Sequence, residues 1–365
     1  ALFPANGAVI TDLISDGGGG CYASLLVKGT AQLGSQTIAS ALYPRKREIA
    51  LAHITPEGGF VRASLVGPGG SFVRNPLAWA DDRSLLIAGS DREPPSLTKQ
   101  KLVLYKVATD GTVLADFSSK VNGGINCYSV LQGMLAGSFT GDAKLGDTTM
   151  SSSGASHSAF MAQLNDSVNV RHSSQLGEGA VQCLLQHNMG ALAGGTFHDL
   201  LTADSLRLAS KGNSEAFLAF YSERGTCKGL LATRGKQRAS VLALVPVDET
   251  SFFAVGEFLG EVSFGETKLA TKPYTNVFAA KVNLELELRE FPVEDVVRPH
   301  TLSFGLELES GFEGPPVSCV LTDIHKRGEE WFLAGCQDTT DEKLDLFDSR
   351  QNDVFLTRTD LDSEF

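Results

Sequence analysis

Six cysteines and seven histidines are the residues of this chain best suited to chemistry, and their spacing decides what they can do. Cys21, Cys127, Cys183 and Cys319 recur at what reads as one place in a repeated unit, the first strand of units one, three, four and six. Two readings follow. Cys127–Cys183 and Cys21–Cys319 can be disulfides between neighbouring units, each closing a long loop worth ~3–5 kcal/mol on the entropic model. Alternatively, a small buried residue simply fits a crowded inner strand. Cys227 and Cys336 have no obvious partners. No C-x-x-C or matched histidine spacing is present, so no metal site is expected.

The histidines (53, 157, 172, 187, 198, 300 and 325) form no H-E-x-x-H pair, and His53, inside an apolar run, reads as a hydrogen-bonded core residue. There is no G-x-S-x-G elbow, Walker loop or dinucleotide fingerprint. The glycine runs at 17–20 and 68–70 read as connections between units. The acidic stretch Asp341–Asp345 lacks the D-x-D-x-D-G pattern of a calcium loop and reads as solvated surface. No catalytic residue and no cofactor are therefore expected. Asn165-Asp166-Ser167 is an N-glycosylation sequon at an expected turn.

The elements that position these residues follow from repetition. Six apolar runs end in or near glycine: LLVKGT (25–30), LLIAGS (85–90), GMLAGSF (133–139), ALAGGTF (191–197), FFAVGEF (252–258) and WFLAGCQ (331–337). Each is followed by a second run, starting at Glu48, Lys101, Ser158, Glu215, Asn276 and Asp353. The recurrence is roughly 55–60 residues, stretched by about twenty at the last step, and a period of that size means a repeat architecture. Helical spacing is scarce, and short apolar runs bounded by glycine, aspartate and proline indicate an all-β chain. The second run is apolar on both faces, which requires burial on both sides.

The expected fold is a six-bladed β-propeller with four-stranded blades, one domain over 1–365. Blades fall near 19–68, 72–119, 124–175, 179–233, 238–294 and 316–365 plus 5–15. The N-terminal stretch PANGAVITDLISDGGGG (4–20) parallels PEGGFVRASLVGPGG (56–70), so the N-terminal strand is expected to complete the last blade. The excess length places an insertion at 295–315, where Arg298, His300, Phe304 and Phe312 are candidate partner contacts.

The stretches 137–164 and 256–282, with their G-x-F openings, Leu145-Gly146 and Phe264-Gly265 turns and closing AFMAQL and VFAAKV strands, resemble the SBBP-type β-propeller repeat. Unit two departs most, lacking both the phenylalanine and the turn glycine. The resemblance spans nearly the whole chain and implies a propeller on a secreted or surface protein, serving as scaffold or recognition module; it implies no reaction.

Composition narrows the partners. A net charge of −12 argues against nucleic acid. No run approaches the length of a membrane span. The numbering begins at Ala1 without an apolar leader, which fits a mature secreted chain and equally a trimmed one. The expectation is a non-catalytic extracellular or cell-surface module that binds protein partners. A glycan-binding propeller is the alternative, and a secreted hydrolase or lyase a third reading.

Overall fold

The computed structural model describes residues 7–42, 47–69, 76–92, 100–153, 156–188, 190–211, 213–235, 237–264, 267–283, 319–327, 330–338 and 352–359. The insertion at 295–315, with Arg298, His300, Phe304 and Phe312, lies outside them. The chain divides into two compact units, 1–186 and 187–365. All described elements are strands or turns.

Repeat one holds β1 (Ala8–Ser15), β2 (Cys21–Val27), the short β3 (Thr30–Leu33) and β4 (Gln36–Ala39), β5 (Glu48–Ile54) and β6 (Phe60–Pro68). Repeat two has β7 (Leu77–Asp81), β8 (Ser84–Arg92), β9 (Gln100–Ala108) and β10 (Val113–Ser118). After β11 (Lys120–Asn122), repeat three follows with β12 (Ile125–Leu131), β13 (Met134–Phe139), β14 (Asp142–Leu145), β15 (Thr148–Ser151), β16 (Ser158–Leu164) and the start of β17 (Val170–His187). Repeat four continues with β18 (Gly190–Ala203), β19 (Leu206–Ala209), β20 (Glu215–Ser222) and β21 (Cys227–Ala232). Beyond β22 (Arg234–Gly235) come β23 (Ala239–Pro246), β24 (Ser251–Phe264) and β25 (Thr267–Asn283) of repeat five. Repeat six shows β26 (Cys319–Arg327), β27 (Glu330–Asp338) and β28 (Asn352–Thr359).

The two apolar runs of every repeat are adjacent antiparallel strands: β2 with β5, β8 with β9, β13 with β16, β18 with β20, β24 with β25 and β27 with β28. The two-sided burial expected of the third strand is explained by sheets packed face to face. In β9, Leu102 and Leu104 face the core shared with repeat three, while Val103 and Tyr105 face the core shared with repeat one. In β5, Ile49 and Leu51 belong to the latter core, and Ala50, Ala52 and Ile54 to a third. Side chains tie neighbouring first strands within the first compact unit. Asp12 Oδ2 accepts from Leu77 N–H at 3.0 Å, and Ser129 Oγ accepts from Leu184 N–H at 3.2 Å.

One constraint recurs at the glycines. The first strand carries a one-residue bulge in repeats one, two, three, five and six, and in the last three the residue before it pairs with a glycine of the second strand: Cys127 with Gly137, Val241 with Gly256, Leu321 with Gly335. On its other side the same glycine pairs with a phenylalanine of the third strand: Phe160, Phe278 or Phe355. A Cβ at Gly137 would lie 1.9 Å from Asn126 O, and at Gly256 it would lie 2.0 Å from Ser240 O and 2.7 Å from Phe278 Cζ. The G-x-F phenylalanine then meets the third-strand ring in repeats three, four and five. Phe139–Phe160, Phe197–Phe217 and Phe258–Phe278 have centroids 6.3, 6.2 and 6.4 Å apart, and all six rings are fully buried.

Three sequence expectations need correction. The N-terminal strand does not close the last blade. β1 pairs with β2 from Ala8↔Val27 to Ser15↔Cys21, so it is the first strand of repeat one. The reversal is made by Gly17 and Gly19 at positive φ, so residues 17–20 are a hairpin loop within one repeat and not a connection between repeats. CYASLLV is therefore a second strand alone.

The cysteines, moreover, do not share one position. Cys21 opens a second strand, and Cys319 pairs with Gln337, two residues ahead of the site that Cys127 occupies in repeat three. Cys21, Cys127 and Cys183 are thiols, not members of Cys127–Cys183 or Cys21–Cys319 bridges.

The link between second and third strands also contains an unforeseen hairpin in repeats one, three, four and five. Its two-residue turn opens at Gly34 (φ 60°), Gly146 (φ 62°) or Asp204 (φ 53°) in the first three of these.

Gly256→Ala is expected to cost about 1–3 kcal/mol by overpacking. Gly229→Ala, with nothing within 4 Å of the added methyl, is expected to be near neutral. Denaturant midpoints of the two variants compared with the parent chain check this.

Candidate functional site

The polar and aromatic groups that come together most closely lie at the β1–β2 turn. β1 delivers Ser15 and Asp16, β2 delivers Tyr22, β5 delivers His53 and β7 delivers Trp79. Cys21 pairs with Ile54 and Tyr22 with His53 across β2 and β5, which brings the imidazole beneath the glycine loop. His53 Nε2 lies 2.8 Å from Asp16 Oδ2, with the histidine side chain 29% and the aspartate 16% exposed. Asp16 Oδ1 accepts from the N–H groups of Gly18 and Gly20 at 2.8 and 2.9 Å. A Cβ at Gly20 would stand 2.7 Å from Asp16 Oδ2, so the loop closes on the carboxylate only with glycine there.

The hydrogen bond from His53, seconded by that from Gly18, holds the Asp16 carboxyl below its usual range. The imidazole stacks on Tyr22 with centroids 4.6 Å apart and an 18° interplanar angle, and Tyr22 meets Trp79 edge-on at 5.6 Å. The Trp79 indole donates to Ser15 O at 3.2 Å. Every interaction of the carboxylate and the indole points back into the protein. Burial, and then the Asp16 charge, push the neighbouring Cys21 thiol up. The arrangement works as a clasp between the β1–β2 loop and the end of β5.

The other expected residues fall elsewhere. Cys127 is buried, its Sγ donating to Ser129 O at 3.4 Å, and burial pushes its thiol up to about 12. Cys183 is buried in β17. Cys227 is likewise pushed up to about 12, chiefly by burial. Asn165 stands at the β16–β17 turn, its Oδ1 accepting from Ser167 and Asn169 N–H at 3.0 and 2.9 Å. The expected sites therefore remain scattered.

In repeats two, three and four the polar residue that opens the third strand makes a hydrogen bond within its own repeat. Gln100 Nε2 donates to Ser90 Oγ at 2.7 Å, Gln175 Nε2 to Ser158 Oγ at 3.3 Å, and Lys211 N–H to Glu215 Oε1 at 3.1 Å. Among the described residues no group of three or more His, Cys, Asp or Glu is placed to hold a metal ion.

Sequence reasoning placed His53 as a hydrogen-bonded residue and missed its partner. The available signal was the aspartate immediately before a glycine run, a pattern that lets a carboxylate collect backbone N–H groups.

No family model matches the chain, and no curated protein matches it. Among solved structures, variants of B. megaterium levansucrase align over 97% of this chain and 83% of theirs. Identity is 7% or 8% and TM-scores are 0.33 and 0.34, a likeness too slight to carry fold or activity across.

Because the Asp16 pKa is lowered in the folded state, its contribution is fully present above the ordinary carboxylate pKa of about 4. It is lost as the pH falls through the lower folded value. Asp16→Asn is expected to reduce the melting temperature at neutral pH, with the gap to the parent chain narrowing below about pH 4. Thermal unfolding across that range checks it; a gap that persists at acid pH would assign the clasp to something other than the carboxylate charge.

Proposed function

We propose that this chain is a six-bladed β-propeller acting as a non-catalytic structural or protein-interaction module, outside the cell or at its surface. The observation that carries the reading is the fate of Asp16 and His53. This close acid–base pair is spent on loop, strand and ring contacts within the chain, and burial pushes the adjacent thiol up. Support for the propeller comes from six successive second–third strand pairs and from sheets that share cores face to face in the first compact unit. The same pattern supports a scaffold that presents loops. Buried thiols raised toward 12 resist oxidation, so Cys127 and Cys227 are compatible with an oxidising exterior without forming disulfides.

The test is affinity capture with the full chain from native material, followed by intact-mass analysis with and without reductant. The expected result is stoichiometric protein partners, a mass unchanged by reductant, and glycan at Asn165. Turnover of a glycoside by the purified chain, abolished by Asp16→Asn, would overturn the non-catalytic reading; binding confined to a glycan array would replace it with the lectin reading.

A further inference from the structure

The hairpins between second and third strands do a job that sets repeat two apart. In repeats one, three and four the hairpin meets the fourth strand of its own repeat. In repeat one the Gln36 side chain donates from Nε2 to Val61 O at 2.5 Å and accepts at Oε1 from Ala63 N–H at 2.9 Å. One carboxamide thus makes the two hydrogen bonds that a neighbouring strand would make to that edge. In repeat three the Gly146 turn sits against Val170, where a Cβ would lie 2.6 Å from Val170 O, and Ser173 Oγ donates to Leu145 O at 3.4 Å. In repeat four Asp204 accepts from Cys227 N–H at 2.6 Å. The three turns meet the first residue of each fourth strand: Phe60, Val170 and Cys227.

Repeat two has a much shorter link between these strands. Only residues 93–99, including Pro94 and Pro95, separate β8 from β9, whereas 28–47 and 140–157 separate the matching strands of repeats one and three. Its fourth strand, β10, ends the sheet order β10-β9-β8-β7. Val113 is 40% and Leu114 55% exposed there, and Leu114 is the bulge residue skipped in the pairing with β9. Asp116 is exposed and has no ion-pair partner among the described residues. β1 also exposes Val9, Ile10 and Leu13, but its Asp12 and Ser15 are already engaged by Leu77 and Trp79.

We propose that the outer edge of β10 is a strand-docking site. Its occupant is an extended peptide segment of another protein, apolar at alternate positions and carrying a basic residue that meets Asp116. An open strand edge with exposed apolar side chains is a template for a further strand, and backbone hydrogen bonds supply the affinity. Charge selects the occupant. A second copy of this chain would set Asp116 near its own counterpart and join two bodies of net charge −12, whereas a basic segment relieves that charge.

The proposal rests on the reading of the chain as an interaction module, and the two fail separately. The probe is the fluorescent peptide KVTVKVTV, titrated against the full chain by polarisation, with EVTVEVTV and the proline-interrupted KVPVKVPV as controls. The basic peptide is expected to bind, and the controls to bind at least about tenfold more weakly. Leu114→Glu is expected to weaken binding by a similar factor, and Asp116→Lys to favour EVTVEVTV. A second variant, with residues 93–99 replaced by the hairpin segment 140–157, leaves β10 unaltered and is expected to abolish binding by covering it. Hydrogen exchange should then slow in Val113–Ser118 only when KVTVKVTV is present with the parent chain. Equal affinity across these variants, protection on β6 instead of β10, or a concentration-dependent dimer abolished by Leu114→Glu would each overturn the proposal. Partner capture that is indifferent to Leu114 would overturn it while leaving the module reading in place.

Discussion

The structure turns on a steric constraint at a second-strand glycine, drawn most tightly in repeats three and five. In repeats three and five, a carbonyl of the bulged first strand approaches to where a Cβ would be, and in repeat five a third-strand phenylalanine fills the space on the other side. The bulge brings the carbonyl inward, and the absent side chain makes room for it. Phe139, Phe197 and Phe258 then lie two residues beyond and reach the third-strand rings, so backbone approach and aromatic packing are one arrangement. Repeats one and two show how far it can be relaxed. Leu25 pairs with Ala50 in the first and Gly89 with Val103 in the second, so the third strand brings no ring to that position.

This arrangement explains why third strands are apolar on both faces and why polar residues stand at their first position. A sheet whose two faces are both covered has no solvated side on which to place a polar group. The strand's first residue is the point where polarity is admitted, and there Gln100, Ser158 and Glu215 satisfy hydrogen bonds within their own repeat. Asp16 and His53 follow the same economy at the opposite end of the strands: a carboxylate that accepts two backbone N–H groups and contacts an imidazole fixes a loop.

Edge protection is the second consequence of the repeat. A fourth strand leaves backbone donors and acceptors facing outward, and the added hairpin answers with side chains that imitate a strand, as Gln36 does on Val61 and Ala63. The hairpin turn demands positive φ at its first residue; glycine meets this in repeats one and three, and Asp204 meets it in repeat four while binding Cys227 N–H. The Leu-Gly turns were visible in the sequence. Their role was not, because nothing local says which strand a hairpin will fold against.

The sequence by itself determined the strand content, the pairing of second with third strands, and the two-sided burial of the third. All of these depend on short-range periodicity and on glycine at recurring positions, which are local properties of the chain. It did not determine that β1 pairs with β2, because an alternating apolar strand is compatible with either neighbour and only the Asp16–Gly20 turn, closed onto His53, selects one. Nor did it determine the cysteine chemistry. Cys127, Cys21 and Cys319 look equivalent when counted from the strand starts, but Cys319 falls two residues ahead of the Cys127 position in the strand register, and the β1–β2 hairpin places Cys21 in a second strand. Those choices are made by contacts between residues far apart in the chain, and only the tertiary structure contains them.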